Sequence, residues 1–281
     1  MAFLQVQFFS RVLNVASTVN VILPEAAQGI GVAAAGEKAL PKVLYLLHGL
    51  SDDHSIWMRR TSVERYAAAH NLAVIMPAVY HSFYCNEVHG GRYWDYVSEE
   101  LPAAVRQFFR LSDKPEDTYV AGLSMGGYGA MRLALTYPER FAAAASFSGA
   151  VDMTSLFIRH DADGLADRIF GENRNLSGTE VDLMHLMEKN AGAPHRPRLY
   201  VSCGTKDFLY ESHQAFVPRL QENGWDVVRY DEPDAVHEWG FWDREIRKFI
   251  EGFISFPSSL CASELPAGEK ISQTAFQASK S

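Results

Sequence analysis

Apolar and polar residues alternate near the start of the chain, and farther on they give way to continuous apolar runs. Residues 3–23 alternate with a period of two, which predicts an opening antiparallel hairpin. Residues 43–47 and 72–77 are almost entirely apolar, as is typical of strands buried on both faces of a sheet. Residues 127–137 instead show helical spacing, which stops at Pro138. Strands that alternate with helices predict an α/β fold with a mostly parallel, twisted central sheet and helices on both faces.

The strand and helix signals continue along the chain without a break, so we predict a single domain over residues 1–254. Between two strand-like runs, residues 152–190 carry apolar and charged residues at helical spacing, which predicts a small helical, cap-like insertion. Small residues dominate the segment 29–36, which we interpret as a mobile loop without chemistry. The segment 255–281 is rich in Ser, Lys and Gln, and this composition predicts disorder.

Charge and cysteine content exclude several classes of partner. The chain carries 34 acidic and 26 basic residues, a net charge of −8, and no basic run, which argues against binding to nucleic acid or anionic membranes. No apolar stretch is long enough to span a membrane, and the amino terminus has no signal-peptide pattern. The three cysteines show no metal-ligand spacing and cannot all pair, so a reduced, cytoplasmic setting is the simplest interpretation.

Two groups of residues could in principle bind a metal. They are Asp52, Asp53 and His54 in one group, and Glu87 with His89 in the other. Neither group has a partner set at a spacing typical of metal sites, so we expect no metal and no other cofactor.

One motif carries chemistry: residues 122–126 read Gly-Leu-Ser-Met-Gly and match the G-x-S-x-G nucleophile elbow. The motif follows a strand-like run, 118–121, and precedes the helical pattern that ends at Pro138. A tight strand-to-helix turn exposes the serine hydroxyl, and the glycines let the flanking backbones approach each other. A bare G-x-S-x-G is common by chance, but a strand before it and a helix after it favour Ser124 as a nucleophile.

A serine nucleophile needs a general base, and in this architecture the acid and then the histidine follow the serine. His237 follows the strand-like residues 226–230 and precedes a helical pattern from about residue 239 to 253, which is the position expected of the base. The other downstream histidines fall in a linker-like stretch, in the predicted insertion or, for His213, at a predicted surface position of a helix.

Asp207 is the predicted acid, because it follows the strand-like residues 198–203 and can reach a histidine on the next such loop. Asp207 is also open to a purely structural interpretation as the N-cap of the following helix. Asp231, Glu232 and Asp234 compete for the role of the acid, although the composition of their segment is more typical of a solvated turn.

The loop after the first buried strand is the expected source of an oxyanion hole. Residues 43–47 lead directly into His48, Gly49 and Leu50. By position, the backbone N–H groups of Leu50 and Met125 are the two expected donors. His48 is open to a catalytic interpretation, but we favour a structural one, in which it braces the loop by hydrogen bonding.

Six stretches of the chain occur in the same order as in one known group of enzymes. They are LLHGLSDDHSIW at 46–57, RTSVER at 60–65, AGLSMGGYG at 121–129, ASFSGA at 145–150, CGTKDFLY at 203–210 and HEWGFW at 237–242. Together they resemble bacterial tributyrin esterases of the esterase D group, and the resemblance covers roughly residues 3–254.

The resemblance implies an α/β-hydrolase fold and the hydrolysis of short-chain acyl esters, acetyl to butyryl, through an acyl-enzyme. In that group the matching serine, aspartate and histidine form the triad, which agrees with Ser124, Asp207 and His237. Relatives include S-formylglutathione hydrolases and feruloyl and acetylxylan esterases. The Gly-Leu-Ser sequence, where formylglutathione enzymes resemble Gly-His-Ser, favours a simple carboxylesterase. Because every triad and oxyanion position is filled, a non-enzymatic binding protein is disfavoured.

Three aromatic residues are candidates for contact with a small-molecule ester: Trp94, Tyr96 and Trp239. The first two belong to the aromatic-rich loop 80–96, which follows the carboxyl end of a strand, where such sheets bind ligands. Aromatic residues at this density are also typical of packing, and Trp239 is equally suited to hold the base-bearing loop on the final helix. The 152–190 insertion either covers the sheet, which we favour, or forms a lid over the acyl chain. By analogy with relatives, a homo-oligomer is expected.

Overall fold

The structure is a computed structural model, and it describes residues 1–25, 39–160, 164–172 and 175–254. The loop predicted at 29–36 and the disordered tail predicted at 255–281 lie outside the described residues. Within the described ranges, none of the helices is both long enough and apolar enough to cross a membrane.

Eight strands form one central sheet. In chain order they are β1 (Ala2–Ser10), β2 (Val15–Leu23), β3 (Lys42–Leu47), β4 (Leu72–Pro77), β5 (Thr118–Leu123), β6 (Ala143–Phe147), β7 (Arg198–Gly204) and β8 (Val227–Glu232). Across the sheet their order is β1-β2-β4-β3-β5-β6-β7-β8. β2 is antiparallel to both of its neighbours, and all the other adjacent pairs are parallel. The opening hairpin and the mostly parallel sheet are therefore confirmed.

Helices connect most of the parallel strands and follow the last one. They are α1 (Ile56–Arg60), α2 (Val63–Ala68), α3 (Tyr93–Asp95), α4 (Leu101–Phe108), α5 (Met125–Thr136), α6 (Met153–His160), α7 (Leu165–Phe170), α8 (Leu183–Lys189), α9 (Tyr210–Glu222) and α10 (Trp239–Phe249). A π-helical turn, Tyr96–Glu100, joins α3 to α4, and a second one, Ile250–Ile254, continues α10.

The parallel strands are apolar on both faces because both faces are covered by helices. Tyr45 and Leu47 of β3 enter one core together with α4, α5, α8 and α9. Leu44 and Leu46 enter a second core together with α1, α2 and α10. Successive side chains of a strand point to opposite faces, so a strand between two cores has no position for a polar residue. The helices predicted on both faces are confirmed.

The segment between β6 and β7 contains α6, α7 and α8. Leu183, Leu186 and Met187 of α8 are buried in the core on the α5 side of the sheet. α7 instead contacts the aromatic loop before α3, where the Val88 N–H donates to the Ile169 carbonyl oxygen at 3.0 Å. One part of the segment therefore packs over the sheet, as favoured from the sequence, and the other part rests on the aromatic loop.

The topology brings the candidate residues to one edge of the sheet. β3, β5, β7 and β8 all run in the same direction, so their carboxyl ends lie along the same edge. His48, Ser124, Asp207 and His237 follow these four strands in turn. In open α/β sheets, ligands bind outside this edge.

Candidate active site

Ser124 occupies the sharp turn between β5 and α5. Its backbone angles are φ 51° and ψ −118°, a conformation that costs a non-glycine residue about 1–3 kcal/mol. The Ser124 N–H donates to the Phe147 carbonyl oxygen at 2.9 Å, and the Ser124 carbonyl oxygen accepts from the N–H groups of Tyr128 and Ala150, each at 3.1 Å. Hydrogen bonds on both sides of the residue therefore keep the strained turn in place.

The glycines of the motif are required by the space around the turn. A Cβ at Gly122 would collide with the backbone of Gly126, and a Cβ at Gly126 would collide with the carbonyl groups of Leu47 and His48. The turn thus packs directly against the end of β3. Glycine at both positions is the condition for this close approach.

His237 connects Ser124 to Asp207. His237 Nε2 lies 3.1 Å from the Ser124 hydroxyl oxygen, and His237 Nδ1 lies 2.8 Å from Asp207 Oδ2. Because an ionised carboxylate only accepts hydrogen bonds, Nδ1 carries the proton and Nε2 is left to accept from the serine. The structure thus brings the three residues named from the sequence together, with the imidazole in the tautomer that a general base requires.

Asp207 makes two kinds of contact at once. Oδ2 binds His237, while Oδ1 accepts from the Leu209 N–H at 2.9 Å. Leu209 is itself the N-cap residue of α9, so the interpretation of Asp207 as the N-cap is wrong, and its second contact closes the turn before the helix. Burial acts to raise the pKa of Asp207, but the hydrogen bond and charge of His237, the Leu209 N–H and the Ser148 hydroxyl outweigh it and lower the pKa below its usual value. The carboxylate is therefore ionised at neutral pH.

Two aromatic rings pack against the His237 imidazole. The ring centroid of Phe208 lies 4.7 Å from that of His237, and the ring of Trp242 lies 4.8 Å away in a nearly perpendicular orientation of 84°. Trp242 Nε1–H donates to Ser148 Oγ at 3.2 Å, and the Ser148 hydroxyl group acts to lower the pKa of Asp207. Trp242 thus contacts both the His237 ring and the serine that acts on Asp207.

Sequence reasoning missed two residues of this arrangement, Ser148 and Phe208. Phe208 directly follows Asp207, and this adjacency was the available signal. Ser148 has a φ of 46° just after β6, and its N–H donates to the Ser202 carbonyl oxygen at 2.8 Å. Ser148 lies in the stretch 145–150 that carries part of the resemblance, but that stretch does not reveal its role, because Asp207 and Trp242 are both distant in sequence.

The loop after β3 lies beside Ser124. A Cβ at Gly49 would be 3.7 Å from the Ser124 Cβ. The Gly49 carbonyl oxygen accepts from His48 Nδ1 at 2.8 Å and from the Asp52 N–H at 3.3 Å. The Gly49–Leu50 peptide is trans, so the Leu50 N–H points away from this carbonyl group. The two hydrogen bonds therefore fix the orientation of the Leu50 N–H.

His48 braces this loop through both ring nitrogens. Nδ1 donates to the Gly49 carbonyl oxygen, and Nε2 accepts from the Val79 N–H at 3.0 Å. Burial lowers the pKa of His48 to about 4, which keeps the ring neutral. The hydrogen-bonded, structural interpretation of His48 is therefore confirmed.

The carboxylates that compete with Asp207 bind other side chains. Two of them belong to β8, so the solvated turn expected from composition begins later than predicted. Their partners are basic residues or a second histidine: Asp231 binds His213 and Arg229, Glu232 binds Arg244, and Asp234 binds Lys206.

The prediction that His213 lies at the surface is wrong. Its side chain is only 2% exposed, and Nε2 lies 2.8 Å from Asp231 Oδ1. α9 turns this residue toward β8, where the carboxylate supplies the hydrogen bond that a buried imidazole needs. Helical spacing alone does not reveal which side of α9 the strand covers.

Two of the three aromatic candidates for substrate contact lie elsewhere, and their assignment is corrected. Tyr96 is fully buried, and its hydroxyl accepts from Ser17 Oγ at 2.9 Å. Trp94 stacks on Tyr137 with ring centroids 6.0 Å apart, just beyond the carboxyl end of α5. α5 has 12 residues and is about 18 Å long, so this contact is far from Ser124 at its other end.

The third aromatic candidate, Trp239, packs beside the base-bearing loop. Its ring is 5.2 Å from the rings of both Trp57 and Trp242, in perpendicular arrangements. Trp57 is itself fixed, because its Nε1–H donates to the Leu47 carbonyl oxygen at 3.0 Å. Trp239 thus holds the loop against α10, as expected, and its contact with substrate stays a prediction.

Two of the candidate metal ligands, Asp53 and Glu87, bind other side chains. Across the described residues, no three His, Cys, Asp or Glu side chains come together in a group that could hold a metal. Asp53 accepts from Ser55, and Glu87 binds Arg168.

A serine on a strand-to-helix elbow, with its acid and histidine on later loops of a sheet in this strand order, defines an α/β-hydrolase. Comparison with known proteins identifies the family. Residues 10–248 match the model of the Esterase family, and the chain belongs to that family. An acetyl esterase of Caldicellulosiruptor saccharolyticus is 30% identical over 266 residues, which cover 89% of this chain and 97% of the relative.

Two solved structures from Staphylococcus aureus are similar over nearly their whole length. The substrate-bound fluorophosphonate-binding serine hydrolase F has a TM-score of 0.82 and 35% identity, covering 91% of this chain and 99% of its own. The S-formylglutathione hydrolase, as the apoenzyme, has a TM-score of 0.79 and 37% identity, covering 90% and 98%. The chain is therefore a carboxylic ester hydrolase with the α/β-hydrolase fold, and the predictions of family, fold and enzyme class are confirmed.

Proposed function

We propose that the chain is a serine carboxylesterase for short-chain acyl esters and that Ser124, His237 and Asp207 are its catalytic residues. The observation that carries this proposal is the position of His237, whose ring nitrogens lie 3.1 Å from the Ser124 hydroxyl oxygen and 2.8 Å from Asp207. Membership of the Esterase family supports ester hydrolysis, and the similarity to an acetyl esterase supports a small acyl group.

Acylation begins with proton transfer from Ser124 to His237. Nε2 takes the hydroxyl proton as the serine oxygen bonds to the ester carbonyl carbon. Asp207 holds the tautomer and stabilises the imidazolium that forms. The tetrahedral intermediate then expels the alcohol, which leaves with the proton from His237, and the acyl group remains on Ser124.

Deacylation repeats these steps with water as the nucleophile. His237 takes a proton from the water as its oxygen bonds to the acyl carbon. The second tetrahedral intermediate breaks the bond to Ser124, which recovers its proton from His237, and the carboxylic acid is released. The same base thus serves both half-reactions.

The backbone N–H groups of Leu50 and Met125 are the proposed oxyanion donors. The hydrogen bonds to the Gly49 carbonyl group support the role of Leu50, because they orient the next N–H group. Met125 is the first residue of α5, and N–H groups at a helix start lack acceptors within the helix. Each such donor typically contributes about 3–4 kcal/mol to transition-state stabilisation.

Apolar side chains on three loops next to the triad support binding of an apolar acyl or alcohol group. Leu50, Phe208 and Val236 are all exposed, and each is close in sequence to a proposed catalytic or oxyanion residue. Ester sites are mostly apolar with a few placed polar groups. Trp239 is the remaining aromatic residue that we propose to contact substrate.

Hydrolysis of p-nitrophenyl esters from acetate to octanoate tests the proposal. Wild type is expected to prefer acetate through butyrate, and Ser124→Ala to lose this activity while keeping its circular dichroism and melting temperature. Retained activity in Ser124→Ala would refute the catalytic assignment. A fluorophosphonate probe is expected to label wild type only, and failure to label it would favour a binding protein without catalysis.

S-formylglutathione hydrolysis is the second candidate function. It is favoured by the 37% identity to a structure of that enzyme, whereas the Gly-Leu-Ser sequence of the elbow favours a simple ester. The kcat/KM ratio for S-formylglutathione against p-nitrophenyl acetate decides between them, and methyl ferulate tests the feruloyl esterase alternative in the same assay.

The cellular setting is a further part of the proposal. Cys85 and Cys203 are both buried and unpaired, which supports a reducing, cytoplasmic environment. Maleimide labelling of protein taken directly from cells, under denaturing conditions, is expected to find both thiols free. We also propose that the chain forms a homo-oligomer, and that α6 and α7 act as a cap on the same single domain.

A further inference from the structure

The first strand of the chain forms one edge of the sheet. β1 is nine residues long, and it pairs with β2 in an unbroken register from Ala2 opposite Leu23 to Ser10 opposite Val15. No strand in the described ranges pairs with its other side. A long, regular edge with unpaired backbone groups is a template for pairing with another strand.

β1 also lacks the features that normally protect an edge. Its sequence, AFLQVQFFS, has no charged residue and no proline, and the register with β2 has no bulge. The opposite edge differs. β8 carries Arg229, Asp231 and Glu232, all of them in ion pairs with side chains of the same molecule. Of the two edges of the described sheet, the β1 edge is therefore the one suited to accept a partner strand.

The sequence of β1 is nearly palindromic about Val6, because similar residue types follow in the same order on either side of it. Phe-Leu-Gln precedes Val6, and Gln-Phe-Phe follows it. Two antiparallel copies related by a two-fold axis at Val6 would place aromatic or aliphatic residues opposite each other and glutamine opposite glutamine. The resulting pairs are Phe3 with Phe9, Leu4 with Phe8, Gln5 with Gln7, and Val6 with itself.

We propose that β1 is a homodimer interface, at which two copies pair antiparallel about Val6 and form one continuous sheet. A two-fold interface requires a surface that is complementary to itself, and this strand has that property. The occupant of the edge is thus a second copy of this chain. The proposal names the surface of the homo-oligomer proposed above, on which it rests, and it does not depend on the catalytic assignment.

Exposed apolar side chains on both faces of β1 support the proposal. Phe3 and Phe9 are 49% and 62% exposed on one face. In the dimer, Phe3 of each copy would be covered by Phe9 of the other copy. On the other face, Phe8 packs at 5.8 Å against Phe108 of α4, which is itself 47% exposed. Pairing would therefore extend the apolar packing of both faces across the axis.

Charge substitutions at Gln5 and Gln7 test both the surface and the register. Wild type is expected to sediment as a dimer at micromolar concentration. Gln5→Lys combined with Gln7→Lys places lysines opposite lysines, at Cβ separations of about 5 Å, and should raise the dimer Kd at least tenfold. Gln5→Lys combined with Gln7→Glu places opposite charges across the axis in this register only, and should restore dimerisation to within about threefold of wild type.

Each outcome of sedimentation equilibrium decides for or against the proposal. A dimer that is lost in the lysine pair and restored in the lysine–glutamate pair supports it. A dimer that neither variant changes lies on another surface and overturns it. A wild type that is monomeric up to 100 μM also overturns it, and hydrogen exchange then shows whether a segment outside the described residues protects β1. Melting temperatures of all three proteins check that the monomer fold is intact.

Discussion

Two aspartates each accept a hydrogen bond from a histidine in the described part of the molecule, yet only one of these pairs contacts Ser124. His237 and Asp207 are 2.8 Å apart, and so are His213 and Asp231. The first pair joins two loops at the edge of the sheet, whereas the second joins α9 to β8. A histidine–aspartate pair is therefore not by itself a sign of catalysis.

The third partner and the access to solvent distinguish the pairs. His237 is 20% exposed, and its second nitrogen contacts the Ser124 hydroxyl group. His213 is buried, and Asp231 also binds Arg229 and Tyr210. Burial acts to raise the pKa of Asp231, but the hydrogen bonds from His213 and Arg229 outweigh it and lower the pKa to about 2. The charge of Asp231 is thus already compensated by its neighbours, as in a structural ion pair.

The largest effect is expected from the substitution of Ser124, which contacts the His237–Asp207 pair and not the His213–Asp231 pair. Ser124→Ala removes the nucleophile, and kcat is expected to fall by a factor on the order of 10⁶. Burst-phase release of p-nitrophenol should disappear with it. His213 and Asp231 remain in this variant, so residual turnover above about 1% would mean that another residue serves as the nucleophile.

The two aspartates give the most direct test of the comparison. Asp207→Asn should lower kcat about 10⁴-fold, because an amide favours the wrong tautomer of His237. Asp231→Asn is the matched control and should change kcat less than about threefold, since it has no contact with the reacting atoms. A comparable loss of kcat in both variants would contradict the assignment of Asp207 as the acid.

A smaller effect is expected at Ser148, which is a positioning residue for Asp207 and therefore acts only on the His237–Asp207 pair. Ser148→Ala removes a hydroxyl group that favours the ionised form of Asp207. For a lost interaction of about 1–1.5 kcal/mol, kcat/KM should fall roughly tenfold. The pKa of the Asp207 carboxyl group should rise, which its carbon-13 chemical shift, followed against pH, would measure. Ser202→Ala is the control, because the buried Ser202 hydroxyl group has no hydrogen-bond partner among the described residues. An unchanged Asp207 pKa in Ser148→Ala would limit Ser148 to packing.

The smallest effect concerns folding stability in acid. The pKa of Asp231 is about 2 in the folded state, below its unfolded value of about 3.9, so the ionised carboxylate stabilises the fold above pH 4. This contribution, about 1 kcal/mol after solvent screening, is lost as the pH falls from 4 toward 2. Urea unfolding of wild type and Asp231→Asn should therefore differ at pH 6, and the difference should shrink as the pH falls to about 2 and below. A difference that is equal at both pH values would contradict the ionic origin.

Several features could be predicted from the sequence because they depend on neighbours along the chain. The double burial of β3 follows from a continuous apolar run, and the elbow follows from glycines two residues on either side of Ser124. The order of strands and helices indicated which loops carry Asp207 and His237. The structure brings these side chains together, while their catalytic roles stay a prediction.

Other features depend on contacts between distant segments. Tyr96 was a candidate for substrate contact, but its hydroxyl group lies against Ser17 of β2, a strand distant in sequence. His213 was assigned to the surface because helical spacing does not show which neighbour covers each side of a helix. The role of Ser148 depends on a loop and a helix that begin more than fifty residues later.

The sequence by itself therefore determined the fold class, the position of the elbow and the order of the triad candidates, because periodicity and motif spacing are local properties. Only the tertiary structure decided which of two histidine–aspartate pairs meets the serine, and which aromatic residues lie near it. The physical reason is that hydrogen bonds and burial act between surfaces that the sheet topology brings together, irrespective of their separation along the chain.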